Sequence, residues 1–190
     1  MAQGQVRIIG GQWRGRKLKV PNVPNLRPTP DRVRETLFNW LSSTILGARC
    51  LDPFAGSGAL GFEALSRGAA HVTMIDQSRE VVTLLREEAA MLKAENIEIY
   101  AANVPKQIKP VEKPFNVVFL DPPFHENLLL PTCFYLEEQG FLEDDAWIYL
   151  EAKEALQEVD LPKNWTPIKN KVAGQVAYHL FRREKALLPK

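Results

Sequence analysis

Residues 51–61 read LDPFAGSGALG, an apolar run that ends in Asp52 and breaks into a glycine turn opening a helix. Backbone N–H groups at the start of a helix lack intrahelical partners, and without side chains at Gly56 and Gly58 a ligand approaches the main chain closely. Gly56, Gly58 and Gly61 satisfy G-x-G-x-x-G, and Asp76 follows about 20 residues on, at the end of the next strand. A carboxylate in that place accepts from both hydroxyls of a ribose. The stretch predicts a ribose-bearing cofactor at the end of a strand.

The sequence around this turn alternates. Strands are expected at Ala48–Asp52, His71–Asp76, Ile97–Ala101, Phe115–Asp121 and Ala146–Glu151, with helices at Ala59–Arg67, Arg79–Glu95 and Leu128–Gln139. Apolar strands separated by helical patterns argue for an α/β fold, a mostly parallel sheet with helices on both faces. Near the C-terminal end, Trp165–Val172 and Val176–Arg183 flank Gly174-Gln175 and predict an antiparallel hairpin at the sheet edge. Before the glycine turn, Val6–Ile9 and Lys17–Val20 form a small hairpin or arm. A proline-rich stretch then leads to Thr29 as N-cap and a helix through Arg32–Leu46. Val33, Leu37, Trp40 and Leu41 form its core stripe, which turns Arg32 and Arg34 away from the core. Two further readings concern exposure: Met74 and Met91 are expected in the core, and Glu87, Glu88 and Glu95 on a solvated helix face.

Two features bear on chemistry. A dinucleotide would set its pyrophosphate against the glycines, where Asp52 repels it; the ammonium and sulfonium of S-adenosylmethionine suit an acid there. The second is Asp121-Pro122-Pro123-Phe124, directly after FNVVFL. Pro122 holds Asp121 extended and removes a local donor. The Asp121 carboxylate and the Pro122 carbonyl then accept from one exocyclic amine, while Phe124 offers a face for a base to stack on.

Composition narrows the setting. The net charge of +1 hides an asymmetry: residues 1–40 carry eight Lys and Arg against Asp31 and Glu35, leaving 16 basic and 21 acidic residues in the rest. A basic arm on an acidic body points to a polyanionic partner. Cys50 and Cys133 sit in apolar segments and are expected reduced, in a cytoplasmic protein. The histidines and cysteines show no metal-ligand spacing, no apolar run is long enough for a membrane span, and MAQGQVRIIGG does not read as a signal peptide.

DPFAGSGALG, Asp76 and DPPF in this order resemble the class I, seven-stranded S-adenosylmethionine-dependent methyltransferases, and DPPF resembles the motif of those that methylate amino nitrogens. RIIGG (7–11), RGR (14–16), LRPT (26–29) and DRVRETLFN (31–39) are similar to a narrower group, the RsmD family acting on guanine N2 of bacterial 16S ribosomal RNA. The resemblance runs from Val6 to about Arg183. It implies a Rossmann-like domain at 29–190 behind a basic arm at 1–28. Asp52, Phe54, Ala55, Gly56, Ser57 and Gly58 would surround the methionine end of the cofactor, and Asp76 would hold the ribose. Gln77 would lie beside the adenine, Asn103 would read its amino group, and Val104 would pack next to it. Asp121, Pro122, Pro123 and Phe124 would receive the target amine. Arg7, Arg14, Arg16, Lys17, Lys19, Arg27, Arg32 and Arg34 would contact RNA. The implied partner is 16S rRNA within an assembled small subunit, met by a monomer with no metal.

Other readings stay open on the residues alone. A DNA adenine-N6 methyltransferase would use the same turn and the same DPPF. A nicotinamide oxidoreductase accounts for the glycines only, and a non-catalytic RNA-binding factor for the arm only. His125 is a candidate substrate contact, and Trp13 either stacks on a base or anchors the arm.

Overall fold

The computed structural model describes residues 4–23, 29–153 and 160–185. Its chain divides into two units, Met1–Asn103 and Val104–Lys190.

The first unit begins with β1 (Gln5–Arg7) and β2 (Lys17–Lys19), paired antiparallel with Val6 opposite Leu18. Helix α1 (Asp31–Trp40) follows, then β3 (Arg49–Asp52), α2 (Ala59–Ser66), β4 (His71–Asp76), α3 (Arg79–Leu92) and β5 (Ile97–Ala101). Strands β3, β4 and β5 are parallel, with Asp52 opposite Met74 and Asp76 opposite Ala101. Helix α2 is buried at every position. An all-buried helix needs cover on all sides. The sheet strands β3 and β4 supply one side, and the segment after β1 supplies another through hydrogen bonds to Glu63 and Ser66.

In the second unit, β6 (Phe115–Leu120) leads through a short 3-10 turn, Phe124–Glu126, into α4 (Leu129–Glu138) and β7 (Leu142–Ala152). Strands β8 (Trp165–Ala173) and β9 (Val176–Arg183) close the unit. Strands β6 and β7 are parallel, while β9 is antiparallel to both β7 and β8. Glu137 of α4 ties the hairpin down: it accepts from Trp165 Nε1 at 2.8 Å, from Arg183 Nε at 2.8 Å and from Asn164 Nδ2 at 2.9 Å. The seven strands β3 to β9 form one mixed, mostly parallel sheet of order β5-β4-β3-β6-β7-β9-β8, the α/β architecture expected from the alternation. Apolar at every position but Asn116, β6 suits a place inside a sheet: Phe115, Val117, Val118, Phe119 and Leu120 are all sealed from solvent. Each such side chain stabilises by about 1.5–3 kcal/mol relative to exposure.

Several local expectations are revised. Helix α1 stops at Trp40, six residues before Leu46, where Ser42, Ser43 and Thr44 offer hydroxyls that compete with the helical backbone. Its cap is Pro30, without a side-chain bond, and Thr29 instead gives its carbonyl to Arg34. Phe38 joins the buried face of α1, and Trp40 is only half-buried. Helix α3 ends at Leu92, because Lys93 turns left-handed at φ 55°. Met91 lies on the outer face of α3 and is 50% exposed, not in the core, whereas Met74 is buried. Glu88 is buried rather than solvated, since its carboxylate accepts the Lys19 N–H at 3.2 Å.

Among the described residues no helix is long and apolar enough to cross a membrane, and no group of three or more His, Cys, Asp or Glu is placed to hold a metal. Cys50 and Cys133 are buried free thiols, pushed far up by burial and therefore inert.

Candidate active site

The glycine turn sits between β3 and α2, with Gly56 at φ +52° and Gly58 at φ +73°, backbone that side-chain-bearing residues rarely adopt. Gly58 is the N-cap of α2 and has no side chain to cap it. Asp52 does that work from the end of β3, accepting the Gly61 N–H at 3.2 Å. Asp76 ends β4 and accepts the Gly56 N–H at 3.1 Å and the Ser78 N–H at 2.9 Å. The Gly58 N–H goes to the Ala55 carbonyl at 2.7 Å, and the Ala55 N–H to that of Ile75 at 2.9 Å. The sequence reading left these amides unpaired and outward-pointing. The structure turns four of them, those of Ala55, Gly56, Gly58 and Gly61, onto two carboxylates and two carbonyls.

This decides what the turn suits. A pyrophosphate takes up free N–H donors and is repelled by an acid within the turn itself, where Asp52 stands. Residues 51–61 hold Asp52 and no cation, and Asp76 stands next to Gly56. A ligand that brings positive charge and hydroxyl donors fits a turn flanked by two carboxylates. Burial pushes the Asp52 carboxyl up to about 7, against the hydrogen bonds from Gly61 and Phe54, and nearby Asp76 adds to the rise. A cation near the turn would favour its ionised form.

Around the turn, Asp52, Ala55 and Ser57 are buried, while Phe54, Gly56 and Asp76 are half-buried and Gln77 is exposed. Gly61 faces β4 so closely that a Cβ there would run into the buried Met74 side chain, which accounts for the third glycine as a packing requirement. The Ala102 N–H donates to the Asp76 carbonyl at 3.1 Å, so the chain leaving β5 runs beside the end of β4. That brings exposed Asn103 to the same strand-end region of the first unit as Asp76. Val104 is half-buried and begins the second unit.

In the second unit, Asp121 follows the last residue of β6 and is half-buried; Pro122 is buried and Pro123 half-buried. Phe124 is 43% exposed. On neighbouring β7, the Tyr149 hydroxyl donates to Glu151 Oε1 at 2.7 Å. Burial holds the Tyr149 phenol well above its ordinary value, and the charges of Glu151 and Asp121 act in the same direction. Tyr149 therefore remains a donor. Neither Tyr149 nor Glu151 was singled out from the sequence, where both read as parts of an apolar strand. His125 is exposed, 3.7 Å from Glu126.

The N-terminal segment is anchored. The carboxylate of buried Glu63 accepts the Ile9 and Gly10 N–H groups, each at 2.8 Å, and Arg67 Nε at 2.7 Å. The Trp13 backbone N–H joins the anchor, donating to Ser66 Oγ at 2.9 Å. Arg7, Arg14, Arg16, Lys17, Lys19 and Arg32 are exposed. Arg7 and Lys17, with Gln5, Val6 and Asp31, line an open hollow of about 410 Å³. Arg27 lies outside the described residues.

Arg34 is the correction in this group. It is fully buried, donating to the Thr29 carbonyl, the Arg7 carbonyl at 2.9 Å and Asp31 at 2.6 Å, and standing 3.5 Å from Glu63. A cation so enclosed reaches no phosphate; it joins α1, α2 and β1. The signal in the sequence was slight, a charged residue adjacent to Val33 in the apolar stripe.

A family model described as Conserved hypothetical protein 95 matches residues 6–182. Ribosomal RNA small subunit methyltransferase D of Escherichia coli (strain K12) is 54% identical over 181 residues, covering 95% of this chain and 91% of that protein. The protein of the same name from Haemophilus influenzae is 48% identical over 187 residues, covering 95% of each. The solved structure of yhhF from Escherichia coli matches at a TM-score of 0.87 with 53% identity, over 96% of this chain and 99% of that one. With a family match over nearly its whole length and relatives this similar, the chain belongs to the RsmD family of class I methyltransferases.

Proposed function

We propose that the protein transfers a methyl group from S-adenosylmethionine to the exocyclic N2 of a guanine in 16S ribosomal RNA, acting in the cytoplasm as a monomer on the assembled small subunit. The observation that carries this reading is Asp121-Pro122-Pro123-Phe124 at the end of β6, with its exposed aromatic ring, in a chain whose glycine turn is held by two carboxylates. The names of the close relatives, which are small-subunit ribosomal RNA methyltransferases, support the substrate class.

The residues divide the work as follows. Phe54, Ala55, Gly56, Ser57 and Gly58 enclose the methionine end. Asp52 shapes the turn and, when ionised, places a negative charge behind it. Asp76 holds the ribose, and Gln77, Asn103 and Val104 receive the adenine. S-adenosylmethionine supplies an electrophilic methyl: the new N–CH₃ bond forms as the S–CH₃ bond breaks, and the leaving group is a neutral thioether.

The protein's part concerns the amine. A guanine amino lone pair is delocalised into the ring and is a poor nucleophile. Asp121 and the Pro122 carbonyl accept its two N–H bonds, which lets the nitrogen pyramidalise and stabilises the positive charge that develops there. The surplus proton passes from the amine to the Asp121 carboxylate and from there to solvent. Phe124 stacks on the flipped base, Pro123 stiffens the bend, and alignment contributes up to roughly 7–11 kcal/mol. Residues 1–28 serve as the basic arm of a catalytic domain at 29–190, with Arg7, Arg14, Arg16, Lys17, Lys19, Arg27 and Arg32 on phosphates.

The test is the Asp121→Ala variant, measured for cofactor binding by calorimetry and for methyl transfer. Binding within about threefold of wild type with turnover down by roughly 10²–10³ is the expected pair of results. Full turnover would remove Asp121 from the mechanism.

A further inference from the structure

The motif at the end of β6 accepts any exocyclic amine, adenine N6 as readily as guanine N2. What distinguishes the two bases is the ring nitrogen beside that amine. In guanine N1 carries a hydrogen and donates; in adenine N1 is a lone pair and accepts. A site that takes guanine alone needs a second acceptor next to Asp121.

The second unit holds one. Parallel pairing sets Phe119 opposite Tyr149 and Leu120 opposite Leu150, so one further step along both chains, just past the end of β6, leads to Asp121 and Glu151. Side chains two residues apart in a strand share a face. Tyr149 and Glu151 are thus on the face of β7 that carries Phe119 and Asp121 on the side of β6. Glu151 also pairs across β7–β9 with Tyr178. Tyr149 donates to Glu151 at 2.7 Å and lies within the field of Asp121. Glu151 keeps 6% of its surface accessible, a carboxylate set low beside the motif. The strand around it, Tyr149-Leu150-Glu151-Ala152, is otherwise a run a sheet core would fill with apolar residues, and burying a carboxylate costs several kcal/mol.

We propose that Glu151 is the specificity-determining residue for the acceptor base: it accepts the guanine N1–H while Asp121 accepts the adjacent amine, with Tyr149 as the positioning residue that fixes the Glu151 carboxylate. This rests on the guanine-N2 reading above. Two acceptors side by side match the donor–donor edge of guanine. Adenine presents its N1 lone pair to the same carboxylate and is repelled, so the selection works by repulsion as well as by attraction.

The experiment uses the full chain and small subunits reassembled with 2-aminopurine in place of the guanine that the wild-type enzyme methylates. 2-Aminopurine keeps the reacting amine but has a lone pair at N1. The wild type should prefer guanine by about 10²-fold or more in kcat/KM, because a site built to bond a substrate hydrogen rejects the analogue that lacks it. The E151Q amide can donate to that lone pair, so the preference should fall at least tenfold. The loss of O6 is common to both enzymes and cancels in the ratio of ratios. Should E151Q not fold, Y149F carries the same test, with a several-fold narrower preference expected. An unchanged preference in a folded variant, with both substrates slowed alike, overturns the assignment while leaving the guanine-N2 reading intact. Absence of N2-methylation by the wild type on ordinary subunits overturns both.

Discussion

The Asp52 carboxylate accepts the Gly61 N–H at 3.2 Å, so the last residue of β3 caps the first turn of α2 across the glycine loop. One hydrogen bond thereby fixes the loop from both ends, and it depends on a buried group held near neutral pH.

That carboxyl gives a pH dependence with a definite sign. Its folded pKa is about 7 against an ordinary 3.8, so the folded protein binds the proton more tightly than the unfolded chain. Stability from this group is fully present below pH 4 and is lost as pH rises through 7, by at most about 4 kcal/mol. Denaturant titrations at pH 5 and pH 8 should show about 3 kcal/mol of that loss in the wild type and a clearly smaller one in Asp52→Asn. Parallel pH curves for the two proteins would contradict the account of the turn.

Asp76 holds Gly56 and Ser78 while facing the proposed ribose site. Asp76→Ala removes acceptors for charge-assisted bonds worth about 1.5–3 kcal/mol each, so affinity for S-adenosylmethionine should fall at least tenfold by calorimetry. Unaltered affinity would place the ribose elsewhere.

Arg34 and Glu63 form a buried ion pair, and removing one partner leaves the other charge enclosed. Arg34→Met should cost roughly 3–5 kcal/mol in denaturant unfolding, reduced to the extent that Arg67 still compensates Glu63. A stability change below about 1 kcal/mol would mean that the pair does not hold the N-terminal segment.

The exposed arginines behave differently. R14E/R16E should leave stability within about 0.5 kcal/mol and weaken RNA binding, with the slope of log affinity against log salt shallower by about 1.5. A slope equal to that of wild type removes these two residues from the phosphate contacts.

These residues also show what could be read in advance. The glycine turn, Asp76 and the Asp-Pro-Pro-Phe bend were legible because each is a local pattern, a strand end followed by a turn whose chemistry lies in adjacent residues. Arg34, Glu63 and Glu88 were not. Arg34 meets Glu63 29 residues away, and Glu88 meets Lys19 69 residues away. Counting only apolar residues in a helical stripe sends such charges to the surface, when the fold buries them against distant backbone. The early end of α1 has a related cause: hydroxyls at Ser42, Ser43 and Thr44 interrupt a helix whose apolar spacing continued to Leu46. Glu151 escaped notice because its role depends on the register of β6 against β7, which spacing within one strand does not reveal.

The most direct measurement is transfer of labelled methyl from S-adenosylmethionine to small ribosomal subunits that lack their own modification, followed by nucleoside analysis of the RNA. The account predicts label in N2-methylguanosine and none in free DNA. Label in N6-methyladenine of DNA, or none in either nucleic acid from protein that still binds the cofactor, would contradict it.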